Sequence, residues 1–160
     1  MPGVMRLFKR APAQEDPGKA LRRTVSNITI LPDEDIRDAS RARLRRIVAE
    51  AVLLQDKAAD LLAEIRDRRP LAVLAPRGGP MATRFFELRR ELPPPADLAM
   101  ARQCETVSVV LDHHGTLIVT ALQMLSVDWR SDAIVDQLER LDGLGAPALR
   151  LDAVYDELTR

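Results

Sequence analysis

The chain has 160 residues, 46% hydrophobic and 30% charged, with 24 Lys/Arg against 24 Asp/Glu and a net charge of zero. That length sets one domain as the default and is enough to bury a core. The charge balance lacks the basic excess of proteins that coat nucleic acid, so no nucleic-acid partner is expected.

Aromatic residues are only 3%, so the core must be assembled from Leu, Val, Ile and Ala. Only Lys9, Lys19 and Lys57 among the basic residues are lysines, a usage expected of a GC-rich bacterial gene. The single cysteine, Cys104, excludes an internal disulfide framework.

Residues 1–32 read as a basic, largely irregular and mobile arm. They hold six Lys/Arg against two acids and are broken by Pro2, Gly3, Pro12, Pro17 and Gly18. Within the arm, Met5, Arg6, Leu7, Phe8, Lys9 and Arg10 offer a weak contact to an anionic membrane surface. No apolar stretch follows them, so they do not read as a secretory signal, and a cytoplasmic location is expected. Residues 128–160 carry the opposite bias, four Arg against eight acids. Such asymmetry can bring the ends of two chains together.

A helical bundle domain is expected over 33–160. Its first long helix begins near Asp33, where Asp33, Glu34 and Asp35 can cap free amides and complement the helix dipole. It runs to about Arg69, and Pro70 stops it. Residues 70–80 read as a loop, punctuated by Pro70, Pro76, Gly78, Gly79 and Pro80. A short helix follows over about 80–92, with Met81, Phe85, Leu88 and Leu92 at helical spacing. Pro93, Pro94 and Pro95 make a stiff joint. The second long helix covers about 96–127, and two shorter ones start near Ser131 and Pro147.

Both long helices carry heptad seams, in which steps of three and four residues place side chains on one stripe. The first is Leu44, Ile47, Ala51, Leu54, Ala58, Leu61, Ile65. The second is Met100, Cys104, Val107, Leu111, His114, Ile118, Ala121, Leu125. Residues 106–121 are also rich in β-branched side chains, which leaves a β-hairpin, and hence an α+β fold, as the alternative. The second seam stays in phase on both sides of Gly115, and a hairpin would have no reason to preserve it.

Leu111-Asp112-His113-His114-Gly115 is similar to the signature of DHH phosphoesterases, where an Asp-His-His set follows a β-strand and helps hold metal ions. The similarity covers five residues and implies a metal-dependent phosphoesterase built on Asp112, His113 and His114. That family also draws aspartates from earlier strands. Here no upstream strand pattern carries an Asp-x-Asp pair, and Asp33-Glu34-Asp35 sits at a helix start. On a helix, adjacent residues point about 100° apart and cannot easily share one metal. No metal or cofactor is therefore expected. His114 falls on the seam, where a polar residue can set register or partner number and a histidine can make packing sensitive to pH.

Arg77 precedes a glycine turn and Arg84 lies on the helix after it, an arrangement able to hold an anion at a helix N-terminus. Arg77, Arg84, His113 and His114 are thus the candidate ligand- or partner-binding residues.

The expected fold is all-α: two long antiparallel helices in a coiled-coil-like hairpin plus three short helices. The expected function is non-enzymatic, an adaptor or regulatory protein that binds through helix–helix contacts and forms a homodimer. A small-molecule or anion-binding regulatory bundle is the second expectation, and the metal-dependent hydrolase the third.

Overall fold

A computed structural model of the chain describes residues 33–67, 69–128 and 144–160. The chain divides into two units, Met1–Pro32 and Asp33–Arg160. The expected arm, its membrane-contact segment 5–10 and the short helix expected from Ser131 lie outside the described residues. Four helices make up the described part: α1 (Asp33–Arg66), α2 (Leu71–Arg90), α3 (Leu98–Asp128) and α4 (Gly145–Thr159). The fold is an all-α helical bundle. Residues 106–121 lie wholly inside α3, so the hairpin alternative is overturned. Val107, Leu111, His114, Ile118 and Ala121 are all buried. The helical period across Gly115 therefore prevails over the local β preference of Val and Thr.

α1 begins where the sequence places it, with Asp33, Glu34 and Asp35 in the first turn, and ends at Arg66. At 1.5 Å per residue its 34 residues span about 51 Å. Pro70 does stop α1, yet it also starts the next helix. Its backbone is extended, with φ −60° and ψ 138°, and its carbonyl accepts from the Val73 amide at 2.9 Å.

The expected loop over 70–80 is not a loop. α2 runs unbroken through Pro76 and Pro80. A proline inside a helix removes one i to i−4 bond, and here the two lie four residues apart on the exposed side of α2. The carbonyls left without a helical donor belong to Ala72 and Pro76, both exposed residues. The opposite side is continuous: Leu74, Gly78, Ala82, Phe85 and Leu88 are buried. Apolar packing along this stripe offsets two missing hydrogen bonds. Pro93–Pro95 then form a non-helical joint between α2 and α3. Asp97 opens α3 by accepting from the Met100 amide at 2.8 Å.

The side-chain pairs fix the direction of each helix. Glu50 meets Arg84 and Glu64 meets Arg77, so α1 and α2 are antiparallel. Arg89 meets Asp112, and Gly78 faces Leu122, so α2 and α3 are antiparallel as well. α1 and α3 therefore run parallel. The antiparallel hairpin expected between them does not form, because a third long helix returns the chain in between. α4 packs on α1 and α3 on the side away from α2, and α2 and α4 do not touch.

Two glycines permit the closest approaches. A Cβ at Gly78 would lie 2.8 Å from Leu122 Cδ1, and one at Gly115 would lie 2.7 Å from Phe86 Cε1.

The seams separate core from surface apart from Cys104, which is half-buried, and one exchange in α1. Leu111 is fully buried, whereas Leu54 is only half-buried and Gln55 beside it is buried. Leu111→Ala should cost about 2–5 kcal/mol, and Leu54→Ala clearly less, because the cost scales with the cavity left behind. Urea unfolding of the two variants checks this, and equal losses would place the phase of α1 in error.

Candidate functional site

A polar node sits in the otherwise apolar core, and each of the four helices contributes one residue to it. Gln55 comes from α1, Phe85 from α2, His114 from α3 and Asp152 from α4. His114 and Phe85 are fully buried, and Gln55 is 5% exposed. The Gln55 amide nitrogen donates to Asp152 Oδ1 at 3.2 Å. The Gln55 carbonyl oxygen lies 2.9 Å from His114 Nε2.

A carboxylate can only accept, so Asp152 turns the Gln55 amide with its nitrogen outward and its oxygen toward the histidine. His114 must then carry its proton on Nε2. Its Nδ1 is left as a buried acceptor without a partner. The edge of Phe85 packs against the imidazole, with ring centroids 5.3 Å apart. Burial first, and the neighbouring His113 second, lower the His114 pKa from 6.5 to about 4. At neutral pH His114 is an uncharged ring, and Gln55, bonded to it on one side and to Asp152 on the other, ties three helices together. A polar contact of this kind penalises slipped registers, because a one-step slip would leave it unsatisfied.

The four residues singled out from sequence are not brought together. Arg77 donates to Glu64 at 2.8 Å. Arg84 is clamped by Glu50 through two bonds of 2.6 and 2.9 Å, by Glu91 at 2.8 Å and by Glu87 at 3.2 Å. The Glu50 carboxylate, first among these, raises the Arg84 pKa above its ordinary value, and Arg84 in turn holds Glu50 below the usual carboxylate range. The glycine turn expected before Arg84 is helix, so it provides no helix N-terminus there. The arginines meant for an anion already hold carboxylates of this chain.

His113 is exposed, while His114 faces the core. Asp112 pairs with Arg89 at 2.7 Å. The Asp-His-His string thus points three ways from one helix and, among the described residues, no three His, Cys, Asp or Glu side chains gather as metal ligands. Cys104 is half-buried, and burial pushes its thiol pKa up.

Sequence reasoning missed two features. Gln55 is hidden by a seam drawn through Leu54, although 51, 55, 58 fits the same spacing. The second is an open groove of about 700 Å³ where α3 meets α4, bounded by Arg102, Glu105 and Val109 on one side and Arg150, Val154 and Glu157 on the other. Val109 stands 57% exposed there. No described helix is long and apolar enough to cross a membrane. No family model, curated protein or solved structure matches this chain.

Proposed function

We propose that the chain is a non-enzymatic, cytoplasmic interaction module that receives a helix of a partner protein in the groove between α3 and α4. The observation that supports this reading is the groove itself. It combines an exposed Val109 with a rim of both charge signs, Arg102 and Arg150 against Glu105 and Glu157. Amphipathic helices dock into such grooves by their apolar stripe, and rim charges select orientation. In contrast, Gln55 and His114 in the core bond to each other, and the guanidinium of Arg84 is already taken up by Glu50, Glu87 and Glu91. A second copy of this chain is the first partner to test, since the groove is present on every molecule and two-fold pairing is the commonest assembly.

A photoreactive residue in place of Val109 should crosslink, in the cell that makes the protein, to a species of discrete mass. The same group at Val73, on the far helix α2 and 52% exposed, should not. An adduct at twice 17.8 kDa identifies a homodimer, and any other discrete mass a different partner. The absence of an adduct specific to position 109 would remove the groove from consideration.

A further inference from the structure

A second concavity lies beyond the end of the groove, where the N-terminal half of α1, the start of α3 and the end of α4 converge. Its volume is about 290 Å³, close to the lower limit of small-molecule sites. Arg41 and Arg45 of α1 and Arg160, just after α4, line it, together with Met100, Leu158 and Glu157. Arg41 and Arg45 stand four residues apart, so both guanidinium groups leave the same face of α1. Three arginines thus line one cleft with one carboxylate side chain, Glu157, which already accepts from the Gln103 amide at 3.1 Å, while Asp97 stands beside Arg41.

The arginines here also differ from the clamped Arg84. Arg41 makes one long contact, 3.4 Å to Asp97, and that carboxylate is chiefly engaged by the Met100 amide. Among the described residues, no carboxylate forms an ion pair with Arg45 or Arg160. Other exposed arginines of the bundle also lack such a partner; these share a concavity with an apolar floor. Met100 is 2% exposed, and Leu158 is half-buried.

We propose that this cleft binds a phosphate monoester with a small apolar body. The planar forks of Arg41 and Arg45 match the oxygens of a phosphate in paired hydrogen bonds. A phosphate monoester carries close to two negative charges at neutral pH, which answers the excess of arginine over glutamate. Met100 and Leu158 favour a carbon-bearing ester over the bare ion. A ligand here needs no protein in the neighbouring groove, so either site can fail without the other.

The test is a titration of the full, isotope-labelled chain, followed by amide NMR shifts, with phenyl phosphate, inorganic phosphate and benzoate as probes. Shifts should centre on Arg41, Arg45, Met100 and Leu158. Phenyl phosphate should bind about tenfold more tightly than benzoate, which offers one charge in place of nearly two. Arg41→Ala with Arg45→Ala should weaken phenyl phosphate at least tenfold. Arg43→Ala, exposed on the same helix but outside the cleft, should leave it unchanged. All three arginines are exposed, and circular dichroism of each variant verifies that the fold is kept. Equal weakening by Arg43→Ala, shifts scattered over the surface, or no preference for phenyl phosphate over benzoate would overturn the assignment. So would association with phosphatidic acid vesicles without any response to soluble phenyl phosphate, which would mark a membrane surface as the target instead.

Discussion

Phe85→Ala should lower the stability of the bundle by about 3–5 kcal/mol, the largest loss expected from truncating one side chain. Phe85 is the largest of the fully buried side chains among the described residues. It lies on the inner stripe of α2, where that helix packs on both α1 and α3. The cavity left by its ring would open beside His114, a polar group whose edge contact would go with it. The walls are parts of long helices and cannot collapse inward without moving whole turns, so little of the void is recovered. Phe86→Ala, one residue on, should cost much less. That ring is half-buried and covers Gly115 from the side. Urea unfolding followed by circular dichroism reads both changes as shifts in midpoint at constant slope. Comparable losses at 85 and 86 would mean that α2 is rotated from the orientation described.

Several features of this fold are legible in the sequence. The acidic start of α1, the seam of α3, the proline joint and the burial of His114 all follow from spacing and capping, which act within one helix. The failures come where a decision depends on another helix. Pro76, Gly78, Gly79 and Pro80 look like breakers when taken locally. The stripe Leu74, Gly78, Ala82, Phe85, Leu88 crosses them without a change of period. Its meaning emerges only once Leu61 and Leu122 are seen to close on Gly78. Two long helices alone predict α1 and α3 antiparallel, but the intervening α2 reverses the chain and makes them parallel.

Pairings between helices are harder to read from sequence than the elements themselves. Arg77 and Arg84 carry the same charge whether they await a ligand or hold a carboxylate, and Glu64 and Glu50 lie on another helix, which hides the pairing. Gln55 and Asp152 stand 97 residues apart. No local pattern joins them.

Acid should weaken the protein through His114 well before its carboxylates are titrated away. In the folded state the His114 pKa is lowered to about 4, and in the unfolded chain it returns to its ordinary 6.5. Between these values the unfolded state binds a proton that the folded state refuses, so stability rises with pH across this window and falls as pH drops through it. Above about pH 6.5 both states are neutral at this residue and it exerts no pH dependence. The interval corresponds to about 3 kcal/mol, fully lost by about pH 4.

Glu50 and Asp97 have lowered pKa values, so their contributions are present above the ordinary carboxylate range and vanish only below it. His113, whose ring centroid lies 5.9 Å from that of His114, opposes a second positive charge. Asp152 reaches the imidazole only through Gln55. Among the described residues, Nδ1 has no hydrogen-bond partner to accept from the protonated ring.

Replacing both buried partners, Gln55→Leu with His114→Leu, removes the titrating group and its acceptor together. Such paired replacement is close to neutral when the shapes are similar. The double variant should therefore match the wild type within about 1–2 kcal/mol at pH 7 and exceed it at pH 4. Unfolding free energies measured at half-unit steps between those limits should diverge steadily as pH falls. Parallel curves for the two proteins would mean that His114 is not the group whose protonation opens this core.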